Sequence, residues 1–241
     1  MSSVAYLGWL ASVVLTPLAY LLVVLMVLWT IGAIYFDVAR SRWYAWPLVL
    51  LCVAAVAAAL AWWEPLWQTM VAAVATFVAF LYWWLRQQPS NDRQWNPNFA
   101  VLPKFEIKGD RVIVHNVRNT DYRTAEDFTP HFETREYDLS QLIGLDGVII
   151  YWGSSFISHP LLIFDFGPQG RLSISIEVRY RQGQRYSFLR SLYRQQEIMY
   201  VVADERDAIL KRAKHLDNHD VYLYRLQVEN EELKRVFLEY V

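Results

Sequence analysis

The stretch PLLIFDFGPQGRLSISIEV, from Pro160 to Val178, decides the fold. Two apolar, β-branched and aromatic runs flank Gly167-Pro168-Gln169-Gly170, a turn composition, and the pattern predicts one antiparallel β-hairpin. Successive strand side chains point to opposite faces, so Leu162, Phe164 and Phe166 share a face with Leu172, Ile174, Ile176 and Val178. The other face of the second strand is polar: Ser173, Ser175, Glu177 and Arg179. If paired residue numbers sum to about 338, His159 lies opposite Arg179 and diagonal to Glu177 on that polar face.

Working outward, Arg111 to Val117, Phe132 to Leu139, Val148 to Trp152, Met199 to Ala203 and Val221 to Val228 carry the same strand chemistry. Tyr186 to Ile198, Glu205 to Ala213 and Asn230 to Val241 read as helices. Short turns join several of the strands, which predicts an α+β domain with a mostly antiparallel sheet over residues 105–241. Before it, residues 89–104 are polar and proline-punctuated and read as an extended linker.

Residues 1–88 are of another kind. Only Asp37, Arg40, Arg42 and Glu64 are charged before Arg86, four of the 47 acidic and basic side chains, so the chain has two unlike parts. Apolar runs at about 5–36, 45–63 and 66–85 are each near the roughly 20 residues that cross a bilayer, and three membrane spans are expected. Trp43, Trp46, Trp62, Trp63, Trp67, Trp83 and Trp84 fall near the ends of these runs, where amphipathic rings favour the headgroup layer. A signal peptide is the competing reading of the first run, but that run lacks a basic leading region, is too long, and leads into more apolar sequence. Core helices of a soluble domain would keep a polar face, and these do not. Arg40 and Arg42 make the first loop basic, which on charge alone would place that loop and the C-terminal domain in the cytoplasm.

The net charge of -1 gives no clustered cation field for nucleic acid. One cysteine, Cys52, within an apolar run, excludes a disulfide framework and a cysteine-rich metal site. Gly109, Gly144, Gly147 and Gly153 are scattered turn glycines rather than a phosphate cradle, so no nucleotide cofactor is expected, and no metal or other cofactor is assigned.

A histidine oriented by a carboxylate is what a general base needs, because one ring nitrogen takes the proton while the other requires an acceptor. His159 with Glu177 fits that description. The plainer alternative keeps His159 as a surface or cap residue at a strand start and Glu177 as half of a solvated pair with Arg179 or Arg181. His115 and His131 are isolated. His215 and His219 would form a metal pair only on one helix with further ligands, and Asn218 with Asp220 suggests a turn there. Ser154 and Ser155 follow Gly153, but Ile157 stands where a nucleophile elbow needs glycine.

Four segments together resemble a known family: VRNTDYRTAEDFTPHFETREYDL (Val117 to Leu139), YWGSSFISHPLLIFDF (Tyr151 to Phe166), SIEVRYRQGQRYS (Ser175 to Ser187) and QEIMYVVADERDAI (Gln196 to Ile209). They are similar to the periplasmic domain of Lnb-type lipoprotein N-acyltransferases. The resemblance covers roughly Pro89 onward and implies a permuted papain-like, NlpC-related thiol fold, in which a thiolate takes an acyl group as a thioester and hands it on. On this resemblance His159 is the catalytic histidine and Glu177 the motif acid. Trp152, Ser154 and Tyr186, from the matching segments, are candidate substrate-binding residues. The family's nucleophile lies in an Asn-Cys-Thr segment that is expected downstream of Val241, and Cys52 belongs to a span. The resemblance further implies a multi-pass inner-membrane protein with its domain in the periplasm, having membrane lipids and lipoproteins as partners. The alternative is a non-catalytic envelope protein that binds a peptide or a lipid headgroup.

Overall fold

The computed structural model describes residues 3–38, 42–62, 66–185, 187–215 and 219–241. The Arg40 loop, the Glu64-Pro65 break, Trp63, Tyr186 and the Asn218 turn lie outside the described residues. The chain divides into two compact units, Met1–Ser90 with Ser187–Gln195, and Asn91–Tyr186 with Gln196–Val241.

The first unit is helical. Long runs rich in leucine and alanine, both strong helix formers, give α1 (Ser3–Ala33), α2 (Arg42–Trp62) and α3 (Leu66–Leu85). A π-helical turn, Ile34–Val38, extends α1. Three spans were expected. Among the described residues one stretch, Val13–Asp37, is long and apolar enough to cross a bilayer, while α2 and α3 contain the shorter apolar stretches Trp43–Ala58 and Met70–Leu85.

A short helix, α4 (Phe188–Leu192), also belongs to this unit. The expected helix from Tyr186 to Ile198 is thus one turn and a half. Arg194, with φ 50°, takes the left-handed conformation that ends a helix, and the β-forming run that follows is a strand from Glu197.

The second unit is α+β. Its strands are β1 (Lys104–Lys108), β2 (Arg111–Arg118), β3 (Asp121–Tyr122), β4 (Phe128–Thr129), β5 (Phe132–Asp138), β6 (Gly144–Trp152), β7 (Ser158–Asp165), β8 (Arg171–Arg179), β9 (Glu197–Asp204) and β10 (His219–Leu226). Among the described residues eight of them form one sheet in the order β1-β2-β9-β8-β7-β6-β10, with β5 on β2, and every ladder is antiparallel except the β2–β9 contact. Helix α5 (Glu205–Lys214) places Ala208 and Ile209 against Val148, Ile150, Leu161 and Ile163 on one face. Helix α6 (Asn230–Glu239) buries Leu233 and Phe237 against Phe164, Leu172, Ile174 and Val202 on the other. Each face therefore loses its apolar area to a helix, the arrangement that stabilises a sheet with two apolar sides.

Of residues 89–104, expected as linker, those from Asn91 onward belong to this unit, and Trp95, Asn98 and Phe99 are buried. The hairpin register also differs from the expected one. Leu162 faces Ile174 and Phe164 faces Leu172, so even residues oppose even residues, but Asp165 and Arg171 close the ladder. Phe166 joins the turn as the residue that opens the 3-10 turn Gly167–Gln169, shifting the pairing by one position on each strand. Continued past Leu161–Ser175, this register sets His159 level with Glu177 rather than with Arg179.

Candidate functional site

His159 stands near the start of β7, paired with Ile150 of β6, and Glu177 lies near the end of β8, paired with Met199 of β9. Both project to the face that α5 covers. His159 Nε2 lies 3.2 Å from Glu177 Oε1, and the two side chains are 14% and 16% exposed. The Nε2 atom is buried without an aligned hydrogen bond, so the contact is a close electrostatic one. The Trp152 ring is stacked on the imidazole, 6.2 Å between centroids and 16° from parallel.

Glu177 has further partners. Ser175 Oγ donates to Oε1 at 2.8 Å, and Arg212 Nη2 of α5 donates to the same oxygen. Burial by itself would raise this carboxyl, but the Arg212 charge, the His159 ring and Arg118 hold it well below the usual carboxylate range. Arg212 is itself fixed by donating from Nη1 to the carbonyl of Ala208 at 2.8 Å.

Beneath these groups is a second pair. Arg118, 3% exposed, donates from Nε and Nη2 to the fully buried carboxylate of Asp207, at 3.1 and 2.7 Å. Asp207 also accepts from the Thr120 amide at 2.7 Å, and Thr120 Oγ1 donates to Asn98 Oδ1 at 2.8 Å. This network fastens α5 to the end of β2 and to the turn at 96–100. Arg179, expected opposite His159, instead donates to the carbonyls of Phe99 and Ala100 at 2.8 and 2.9 Å and holds the same turn.

A pocket of about 380 Å³ opens over the pair. Phe99, Trp152, Ile176 and Tyr180 make apolar walls, and His159, Glu177, Lys211, Arg212 and His219 make a polar end. Lys211 Nζ sits 5.9 Å from the Phe99 ring and 5.5 Å from the Tyr122 ring. Burial, together with the charges of Arg118 and Arg212, pushes its ammonium down to about 8, against the opposing pull of Glu177 and Asp207.

Of the residues proposed from sequence, the structure brings His159, Glu177 and Trp152 together. Ser154 is elsewhere: its Oγ accepts from the Phe156 amide at 3.3 Å and its carbonyl from the Ile157 amide at 3.4 Å, closing the β6–β7 turn. Tyr186 lies outside the described residues. His215 follows the end of α5 and His219 opens β10, so the two share no helix. Sequence reading did not identify Ser175, Lys211, Arg212 or the Arg118–Asp207 pair. A signal existed in α5, where Asp207 and Lys211 fall four residues apart beside Ala208, on the stripe that faces the sheet.

The chain thus joins an apolar N-terminal helix, long enough to cross a bilayer, to an α+β domain that carries a pocketed His-Glu-Arg cluster. Residues 128–241, the stretch that holds His159, Glu177 and Arg212, match the family described as the Lnb N-terminal periplasmic domain. No curated protein and no solved structure matches the chain. The family and the apolar helix together fit an envelope protein that is anchored in a membrane and carries a periplasmic domain.

Proposed function

We propose that this domain performs acyl transfer or hydrolysis on lipid-linked substrates such as lipoproteins, by papain-like thiol chemistry within a permuted papain-like frame. One observation carries the reading: His159 Nε2 and Glu177 Oε1 meet at 3.2 Å at the polar end of an apolar-walled pocket. Glu177 orients the ring through Nε2, and Nδ1 is left to take a proton from the thiol. The thiolate then attacks the acyl carbonyl, forms a thioester and expels the leaving group, which takes up the proton from His159. Apolar walls suit an acyl chain, and a membrane anchor raises the local concentration of lipid-linked substrate. In the same proposal α1, α2 and α3 all cross the inner membrane and the domain faces the periplasm. A C-terminal alkaline phosphatase fusion that is inactive, where a cytoplasmic reporter at the same position is active, would refute that topology.

None of the pocket-lining residues carries a thiol, and the cysteine of the chain, Cys52, is in α2. That observation favours a second reading, a non-catalytic envelope protein whose pocket binds a peptide or a lipid headgroup. The gene itself decides between them. The reading frame past codon 241 is inspected for cysteine in an Asn-Cys-Thr or Asn-Cys-Ser setting, and lipoprotein acylation is measured in the His159→Ala variant. Loss of acylation by roughly 100-fold or more, with membrane insertion unchanged, supports the base assignment. Retained acylation refutes it, and absence of such a cysteine refutes the thiol mechanism.

A further inference from the structure

We propose that α4 is an interfacial membrane element: Phe188, Leu189 and Leu192 insert into the boundary between headgroups and acyl chains, at the level where α1 and α3 end. A helix of five residues does not form on propensity alone, so its position must be fixed by its surroundings. Ser187 caps it, and the three residues that follow it fasten it to the helical unit.

Tyr193 stacks on Phe36, with centroids 5.2 Å apart and planes 19° from parallel. Arg194 donates to the carbonyls of Trp84, Leu85 and Gln87 at 2.8, 3.3 and 3.0 Å, and its guanidinium lies 4.2 Å from the Trp84 ring centroid. Trp84 and Leu85 are in the last turn of α3, where carbonyls lack a full set of intrahelical donors, so the segment serves as the cap of that helix. Gln195 Nε2 donates to one oxygen of Asp37 at 2.6 Å, while Trp84 Nε1 donates to the other at 2.5 Å. The ends of α1 and α3 are therefore tied at one level, marked by tryptophan, which favours the membrane–water boundary, and by a carboxylate, which is costly deeper in a bilayer.

At this level α4 turns its apolar residues outward. Phe188 is 65% exposed, Leu189 59% and Leu192 50%. They fall at i, i+1 and i+4, on one side of the turn. Burying three such side chains is worth more than any surface ion pair, so a fold that leaves them bare offers them to an apolar medium. The occupant is the bilayer, because α1 in the same unit exposes Leu21, Val24, Leu25 and Leu28 in the stretch that is long enough to cross it. Arg190, between Leu189 and Leu192, supplies a cation for a headgroup phosphate, as on the polar side of an interfacial helix. The inference rests on the reading of α1 as a membrane span, and it is independent of the chemistry at His159.

The single cysteine makes the test direct. The full chain carrying Cys52→Ser is reconstituted in nanodiscs of phosphatidylethanolamine and phosphatidylglycerol, and one nitroxide at a time is attached at Phe188→Cys, Leu189→Cys or Leu192→Cys. Leu21→Cys in α1 and Asp110→Cys in the exposed β1–β2 turn serve as references. Electron paramagnetic resonance saturation then compares collisions with oxygen and with a nickel chelate. Labels on α4 are expected roughly 5–10 Å below the phosphates, shallower than position 21, with position 110 in water. Labels on α4 that are as open to nickel as position 110, while position 21 is shielded, overturn the proposal. Labels shielded from both reagents also overturn it, since protein rather than lipid then covers the face. Nickel access at position 21 overturns the reading of α1 itself. Three positions on one face keep a single misfolded variant from deciding the outcome.

Discussion

Arg212→Met tests whether α5 is held to the sheet by charge. The substitution keeps most of the apolar stem but removes the guanidinium that answers Glu177, leaving that carboxylate with Ser175 and His159. Both partners are mostly buried, at 10% and 16% side-chain exposure, so water cannot replace the lost cation. Breaking a buried pair by removing one partner costs about 3–5 kcal/mol, and the remaining partners place this case near about 3 kcal/mol. Glu177→Gln should cost a similar amount, because it strands Arg212. A domain with about 5–15 kcal/mol of stability survives either change. The double variant should be no less stable than either single one, because two neutral side chains leave no uncompensated charge, giving a coupling of about 3 kcal/mol. Urea unfolding of the full chain in mild detergent, read by amide exchange in β7 and β8, measures all three. Single losses under about 1 kcal/mol, or a double variant that loses the sum of the two, would refute the argument.

Lys211 gives up its proton at about 8 in the folded protein and at the ordinary 10.5 when unfolded, so between those values the unfolded chain binds more protons. Stability should then rise with pH across that window by up to about 3 kcal/mol, and Lys211→Met should abolish the rise, as urea midpoints at both ends of the window will show. Asn116 holds φ at 63° and donates from Nδ2 to the carbonyl of Leu102 at 2.9 Å. Asn116→Ala is expected to lose about 2 kcal/mol through strain and the missing bond, and Asn116→Gly only the bond, about 1 kcal/mol; equal losses in thermal unfolding would show that the left-handed backbone costs nothing. A methyl group on Gly32 would overlap the Tyr193 ring, so Gly32→Ala should cost about 1–3 kcal/mol locally and speed amide exchange in residues 187–195 while β6–β8 stay protected. Unchanged exchange in that segment would contradict the packing of Tyr193.

The sheet was legible where alternation is clean. Leu162, Phe164, Leu172 and Ile174 state their own face, and the parity of the hairpin follows from them. The register depended on one further fact, that Phe166 belongs to the turn, and composition does not encode it. Arg118 escaped because β2 carries a bulge between Val114 and Val117: Val112, Val114 and Val117 are all buried, so the alternation changes parity and Arg118 no longer reads as a position in contact with the core. β1 alternates cleanly but spans five residues and opens at the last residue of the expected linker, too short a run to read as a strand, and its lysines and glutamate suit an edge. The partner of Glu177 comes from a helix 35 residues further along, and no local pattern records which charge of an amphipathic helix will face a carboxylate in the sheet. Helix α4 failed as a prediction for a related reason, since its length is set by the fastening of Tyr193, Arg194 and Gln195 rather than by its own propensity.

The charges around the pocket divide into answered and unanswered groups. Glu177 is answered by Arg212 and Asp207 by Arg118, and these pairs are fixed before any ligand arrives. Lys211 is different: among the described residues no carboxylate lies at ion-pair distance from it, and its neighbours are the faces of Phe99 and Tyr122. Of these five groups, Lys211 alone gives the pocket a net positive charge, and it does so only below about pH 8. In the acyl-transfer reading, negative charge gathers on the carbonyl oxygen as the nucleophile adds, and a cation facing an apolar-walled pocket favours that state over the resting substrate. Raising the pH through 8 should therefore weaken this assistance without disturbing the His159–Glu177 contact. A descending limb near pH 8 that Lys211→Met abolishes, and that His159 variants leave in place in whatever activity remains, would separate the role of the ammonium from that of the base.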